Sequence, residues 1–550
     1  MMNEQLMVLL FILGIIAFIL VTDRINQSKL KAQIKKDWGN LPRHLPKDNE
    51  ESLLKAYESR TKQAEVMIDD LTWDDLNMFE VFKRINLTYS SIGSEKLYQT
   101  LREYNLSSEN TEKLEILIHY LENNPNERED ISFRFARLGK RDYNYAQIYL
   151  NGQTINPLGS HSLYVFLGLL PLIGFLSSFF IGAIGFVVAV LALCVNTILY
   201  LIKKGQLETE LAAMNYLVQS LSLSHTLSKK ETPIKNELQK NWQPFKSALR
   251  FGFAFRVKSG SESEMFIEML SAAFLVPFIS FGVLSKKINH YNTEAKILWE
   301  LMGQLEVAIA ILNLRLIYQD YSCQPEFSDE KSVIAEDVIH PLLNSPVPNP
   351  VNWSKNTLIT GSNASGKSTY VRSVAINIIF AQTLNTCLAT SFTLKRGGVI
   401  SSMGVQDSII DGDSYFVAEL KSLQRLIEQV QQNMFYYSFI DEILKGTNTI
   451  ERIAASSSII QWLTTQNQLA FVATHDIELP QILQNQCDNI HFEESVSKED
   501  GITFDYLLKT GVATSRNAIN LIESMNFPTS VINSAHQKAK FFDENRSWSD

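Results

Sequence analysis

Gly361, Gly366, Lys367 and Ser368 fill the pattern G-x-x-x-x-G-K-S/T within TLITGSNASGKST, residues 357–369. That spacing is the spacing of a loop that wraps phosphate. The two glycines permit backbone angles that a Cβ forbids. Successive N–H groups, through Ser362, Asn363, Ala364 and Ser365, can then curl round phosphate oxygens. Lys367 supplies a compact positive charge for the β- and γ-phosphates and Ser368 a hydroxyl for Mg2+, with Thr369 completing the set expected to touch nucleotide. The following stretch, TYVRSVAINIIFAQ, reads as a helix whose positive end points at the anion. The expected ligands are ATP and Mg2+.

Two further apolar runs end in groups that could act on bound phosphate. About 74 residues beyond Lys367, FYYSFI ends in Asp441 and Glu442. A strand there would deliver Asp441 to the hydration shell of Mg2+ and Glu442 to the attacking water. LAFVAT, residues 469–474, ends in His475. Its imidazole either senses the γ-phosphate or is a strand-end histidine without a catalytic role. Glu442, His475 and Lys367 are the expected catalytic residues, and Ser368 and Asp441 the expected metal ligands. Between loop and carboxylates, DGDSYFVAELKSLQRLIEQV reads as a helix capped by Asp413 or Ser414, with Phe416, Leu420, Leu423, Ile427 and Val430 as its apolar positions. It is either a plain amphipathic helix or one whose N-terminus faces phosphate held by another subunit.

Several elements must carry these residues. The chain has 550 residues, room for two to four domains, and is 45% hydrophobic with 20% charged residues. Its net charge of −9 gives no overall pull toward nucleic acid. Four scattered cysteines form no C-x-x-C pair, which argues against a disulfide framework or a zinc site and suits a reducing compartment. Residues 6–21 are uncharged and followed by Arg24, Lys29, Lys31, Lys35 and Lys36. They read as an uncleaved anchor with the rest of the chain inside, or as a buried helix. Residues 163–202 also lack charge, and as one helix would run about 60 Å, roughly twice the hydrocarbon thickness. Two spans turning near Ser177–Gly185 fit better. Met265–Leu284 contains Glu268 and Pro277 and reads as a buried core helix or one lying against a membrane. Helical periodicity fills 45–155, including SLLKAYESRTKQAEVMIDDL, and returns over Leu207–Thr226 and Lys296–Tyr318. Prolines from Pro325 to Pro350 then mark the passage into an α/β half.

The sequence resembles the MutS family of DNA mismatch-repair ATPases. The residues that carry the resemblance are TGSNASGKSTYVRS, Met403-Gly404 with Asp407, Ser414-x-Phe416-x-x-Glu419, IDEILKGTNT, ATHDIEL and the later GVATSRNAINLIESMNFPTSVINSA. More weakly, Ile68–Arg102 is similar to the start of that family's helical core, and GQLEVAIAILNLRLIYQDYSCQPEF to its lever helices. The resemblance implies an ATP hydrolase working as a homodimer, in which Ser414 of one subunit approaches the γ-phosphate held by Lys367 of the other. The chain departs from the family pattern: nothing before Ile68 reads as a mismatch-recognition domain, and Ser362 and Ser365 stand where Pro and Gly are common.

The expected fold class is α plus α/β, a membrane-anchored helical core followed by a C-terminal P-loop ATPase domain with a mixed, mainly parallel sheet. The expected division is an anchor at 1–22, a basic juxtamembrane segment at 23–64, a core-like helical region at 65–160, a transmembrane hairpin at 161–204, a helical lever at 205–325 and the ATPase domain at 326–550. The expected location is the cytoplasmic membrane, multi-pass, with the ATPase domain in the cytoplasm and membrane lipid as a partner. The functional expectation is ATP-driven dimer closure coupled to DNA binding. The alternative is a mechanical or scaffold switch of a membrane complex without nucleic acid. Lys229, Lys230, Lys235, Lys240, Lys246 and Arg250, interleaved with Trp242 and Phe245, form either a DNA-binding patch or a solvated face.

Overall fold

A computed structural model describes residues 21–41, 48–60, 64–151, 158–247, 271–361, 365–404, 415–497, 501–513, 519, 522–523, 525, 527–545 and 547. The expected anchor at 1–22 therefore lies outside the described residues apart from its last two positions. The chain forms two units that are not continuous in sequence: Met1–Gln63 with Ile85–Thr100 and Glu112–Ile317, and Ala64–Arg84 with Leu101–Thr111 and Tyr318–Asp550.

The first unit is helical. Its 26-residue helix Asn292–Ile317 is 83% buried over its most apolar window, so this long apolar element is core. The helices His161–Ile181 and Ala183–Gln206 form the expected hairpin, turning at Gly182, whose φ of +64° ends the first of them. They approach closely where side chains are missing: a Cβ on Gly174 would lie 2.8 Å from Ala189 N, and one on Gly185 2.5 Å from Ser178 N. Asn196 is buried and donates to the carbonyls of Leu167 at 2.9 Å and Ala273 at 3.0 Å, tying the hairpin to the segment beneath it. The hairpin's other face is apolar and open, with Phe179 76% and Phe180 90% exposed. Of the ambiguous stretch, the described part runs into the helix Val276–His290, which buries Phe278, Phe281 and Leu284. That part is core.

The periodicity in SLLKAYESRTKQAEVMIDDL overstates one helix. Helix Glu50–Glu58 stops at Ser59, and Val66–Met67 forms a short strand paired with Glu103–Tyr104. Alternating apolar residues satisfy either period over so short a run.

Glu306 sits fully buried on the core helix and receives the N–H groups of Tyr89 at 2.6 Å and Ser90 at 2.8 Å, together with the Ser90 hydroxyl. It thus satisfies donors at the start of helix Ser91–Arg102. Burial pushes its carboxyl up to about 7, against the pull of those hydrogen bonds and of Lys140. The folded value lies above the ordinary 4.5, so the stabilisation it carries is complete below pH 4.5 and is lost as pH rises through about 7. We predict that stability falls by up to roughly 3 kcal/mol over that window and that Glu306→Gln flattens the dependence. Thermal unfolding against pH measures it, and an equally pH-dependent variant would contradict it.

The second unit is built on a six-stranded sheet: β1 Thr357–Thr360, β2 Gly398–Ser402, β3 Tyr436–Asp441, β4 Gln468–Ala473, β5 Asp488–His491 and β6 Lys509–Thr510, in the order β6-β5-β1-β4-β3-β2. Neighbours are parallel except β6, which runs antiparallel to β5. β1 and β4 are buried along their whole length, as expected of strands covered on both faces. In register, Ala473 lies opposite Asp441 on one side and Ile359 on the other. The carboxyl ends of β1, β3 and β4 therefore finish side by side, where ligands bind in open α/β sheets. Helix Lys367–Leu384 follows β1 and is buried almost all round. A separate four-stranded sheet holds Glu326–Phe327, Ser391–Leu394, Val333–Val338 and Asn349–Trp353. From it, Trp353 stacks on Phe471 of β4 at 3.9 Å. Cys323 and Cys387 pair through their main chains, and none of the four cysteines is in a disulfide.

Candidate phosphate-binding site

The loop between β1 and helix Lys367–Leu384 turns at Gly361 (φ +134°) and Gly366 (φ +101°). Both positions demand glycine. A Cβ on Gly361 would stand 2.4 Å from the Phe492 carbonyl oxygen, and one on Gly366 3.1 Å from the Tyr506 ring. Ser362, Asn363 and Ala364 lie outside the described residues; Ser365 is buried beside the glycines.

Lys367 opens the helix with its side chain buried. Burial lowers the pKa of its ammonium, while Asp441 and Glu442 act to raise it. Its Nζ lies 3.4 Å from His475 Nε2. Ser368, the next residue, donates its hydroxyl to Asp441 Oδ2 at 3.0 Å. The other oxygen, Asp441 Oδ1, is buried without a hydrogen-bond partner. A hydroxyl and an under-satisfied carboxylate at the lip of a phosphate loop are hard oxygen donors that fit Mg2+, which takes few protein ligands and completes its shell with water and phosphate. Thr369 continues the first turn of the helix, and its carbonyl accepts from the Ser373 hydroxyl.

Glu442 follows β3 in the left-handed region, φ +62°, with its N–H held by the Ala473 carbonyl at 2.9 Å. Leu444, two residues on, is also left-handed at φ +60°. Such non-glycine residues each cost about 1–3 kcal/mol and persist where their surroundings over-determine them. The Glu442 carboxylate meets His475 Nε2 at 3.0 Å and Lys445 Nζ at 3.4 Å. Burial works to raise its pKa, but His475, Lys445 and Lys367 outweigh it and hold the carboxyl down at about 2. Lys367, Ser368, Asp441, Glu442 and His475 thus converge at one end of the sheet, in agreement with their spacing in the sequence. Ser414 lies outside the described residues.

The sequence reading missed several supports of this cluster. Lys445 charges Glu442 and in turn gives its main-chain N–H to buried Glu419 at 2.9 Å. Arg452 grips Asp476, next to His475, through Nε at 3.0 Å and Nη2 at 2.6 Å. Tyr506 lies against the Gly366 turn. IDEILKGTNT and ATHDIEL contain two of these residues, Lys445 and Asp476, but no spacing rule selects them. On helix Tyr415–Val430 the buried apolar face is Leu423, Leu426 and Val430, while Leu420 is 42% exposed. The stripe is therefore rotated from the expected one, toward Glu419 and Ser422.

In the basic stretch of the first unit the aromatic residues are packed inward while Lys229, Lys240 and Lys246 are exposed. Trp242 is buried and stacked on His225 at 3.8 Å, and Phe245 is buried. Lys230 pairs with Asp130 at 2.8 Å and Lys235 with Glu231 at 2.5 Å. Arg250 lies outside the described residues.

Residues 357–543 match the family described as MutS domain V. The chain is 30% identical over 239 residues to the DNA mismatch repair protein msh3 of Aspergillus fumigatus, covering 40% of this chain and 21% of that protein. It is 29% identical over 238 residues to the DNA mismatch repair protein MSH3 of Coccidioides immitis, with 40% and 21% covered. For the protein of the same name from Candida glabrata the figures are 28% over 234 residues, with 39% and 23% covered. The chain thus spans about a fifth of the length of the curated relatives it matches.

These relatives correct the expected location. A multi-pass protein of the cytoplasmic membrane with lipid as a partner was read from apolar runs, yet the proteins matched are DNA mismatch repair proteins. Among the described residues, His161–Ile181 and Ala183–Gln206 qualify as spans by length and composition alone, and a third such helix, Asn292–Ile317, is core.

Proposed function

We propose that this member of the MutS family binds and hydrolyses ATP at the β1, β3 and β4 strand ends, and that nucleotide-driven closure of a homodimer is coupled to DNA binding. The observation that carries the reading is the convergence of Lys367, Ser368, Asp441, Glu442 and His475. The phosphate loop and the buried Lys367 ammonium bind the polyphosphate, whose charge replaces water around Lys367. Glu442, ionised with a pKa near 2, is a weak base. Its part is to orient the attacking water and accept its hydrogen bond. His475 holds that carboxylate from the phosphate side. Ser368 and Asp441 would hold Mg2+, which when bound neutralises charge on the phosphate oxygens. DNA binding rests on the relatives' names and on the family, and the site chemistry does not by itself require it.

Ser414 of one subunit would complete the site held by Lys367 of the other. Mixing a Ser414→Ala chain with a Lys367→Ala chain tests this: each variant alone is expected to be nearly inactive. The mixture should regain up to about a quarter of wild-type turnover, since half the dimers would be mixed and each would keep one intact site. No rescue in mixtures shown to exchange subunits would contradict shared sites.

A second reading, an ATP-driven mechanical switch without nucleic acid, is favoured by one observation. The aromatic residues of the candidate DNA patch, Trp242 and Phe245, are buried and unable to stack on bases.

A further inference from the structure

The short helix Asp70–Asp75 lies far upstream of the phosphate loop in sequence but belongs to the same unit. Asp75 is 8% exposed and gives both carboxylate oxygens to the end of β2. Oδ2 accepts from the Ser401 hydroxyl at 2.6 Å and the Met403 N–H at 2.8 Å, and Oδ1 accepts from the Gly404 N–H at 2.7 Å. Thr72 Oγ1 accepts the Ser401 N–H at 3.1 Å. Arg372, on the helix that follows the phosphate loop, donates from Nε to the Asp75 carbonyl at 2.8 Å. On the far side, Arg425 of helix Tyr415–Val430 pairs with Asp69 and donates to the Ser401 carbonyl. The Asp69–Asp75 segment therefore holds the Ser401–Gly404 end of β2 and, through Arg425, the middle of helix Tyr415–Val430. It also touches the helix that carries Lys367.

The chemistry of these contacts is specific to a carboxylate. Two successive main-chain N–H groups and a hydroxyl point at Asp75, and only an acceptor-only group satisfies all three. An amide in its place turns an NH2 toward at least one N–H. We propose that Asp75 is a positioning residue for ATP turnover, fixing the Ser401–Gly404 strand end and, with Asp69 and Arg425, bracing the helix that carries Glu419. Glu419 in turn holds Lys445, the partner of Glu442. The proposal rests on the ATPase reading above and adds a residue that touches neither nucleotide nor metal.

The test is ATP affinity, steady-state turnover and thermal unfolding of the full chain as wild type, Asp75→Asn and Ser401→Ala. Asp75→Asn keeps the shape and is expected to lower kcat about tenfold or more, with ATP affinity within about twofold and a fall of only a few degrees in unfolding temperature, the scale of one unsatisfied buried N–H. Ser401→Ala removes one of three donors and leaves the carboxylate in place, so its kcat should lie between the two. A folded Asp75→Asn with wild-type kcat overturns the proposal. So does a loss of affinity and stability in step with kcat, which would mark a purely structural role. Should Asp75→Asn fail to fold, the split between kcat and affinity in Ser401→Ala decides. A wild type that binds ATP without hydrolysing it refutes the ATPase reading itself, a failure visible before any variant is compared.

Discussion

Lys367→Ala is expected to weaken ATP binding by about a hundredfold or more, the scale of losing one partner of a buried charge pair. The lysine is buried where Asp441 and Glu442 also lie, and under the proposed function its ammonium, with Lys445 beyond it, offsets the charge of two carboxylates and a polyphosphate at one strand edge. Without it, the incoming phosphates meet uncompensated negative charge. Equilibrium binding of a fluorescent ATP analogue measures the effect. Affinity within a few-fold of wild type would show that the phosphates are held elsewhere.

Glu442→Gln is the second large effect, and it separates binding from chemistry. The side chain keeps its shape and can still meet His475, so nucleotide binding should survive and even tighten as one negative charge leaves the phosphate edge. Turnover should fall by about 10²- to 10³-fold, the range for removing a group that acts on the attacking water. The carboxyl is held near 2, so protonation of Glu442 should not limit the wild-type rate above about pH 4. Rates from single-turnover mixing decide this. Normal turnover in Glu442→Gln would remove the carboxylate from the mechanism.

Much of the candidate site was legible because a phosphate loop is a local object. Gly361, Gly366, Lys367 and Ser368 lie within eight residues, and their φ values and close approaches are the constraints that make those types necessary. Asp441 and His475 were legible for a different reason: each follows a mostly apolar, uncharged run, and parallel strands bury such runs on both faces. The supports were not legible. Asp75 meets Gly404 only because chain folding returns a distant segment to the sheet, and no local pattern records that pairing. Lys445 and Arg452 look like ordinary charged residues until their partners Glu442 and Asp476 are in place.

In the helical unit, periodicity located elements but not their surroundings. Trp242 and Phe245 among lysines suggest a surface that stacks on bases, yet tertiary packing buries both rings and pairs Lys230 and Lys235 with carboxylates. Likewise, apolar length alone does not distinguish Asn292–Ile317, a core helix, from the exposed hairpin His161–Gln206, because hydropathy is blind to what covers a helix. The turn of that hairpin was legible from its glycines, and Gly182 makes it.

The central claim is that the strand-end cluster hydrolyses ATP and that the protein reports nucleotide state to DNA. It is tested most directly by Mg2+-dependent ATP hydrolysis of the purified full chain, with and without duplex DNA, across a salt series. The account predicts turnover that requires Mg2+ and changes several-fold with DNA, the DNA effect fading steeply as salt rises because phosphate contacts release counterions. Absence of turnover under every condition, in protein shown to be folded, would contradict it.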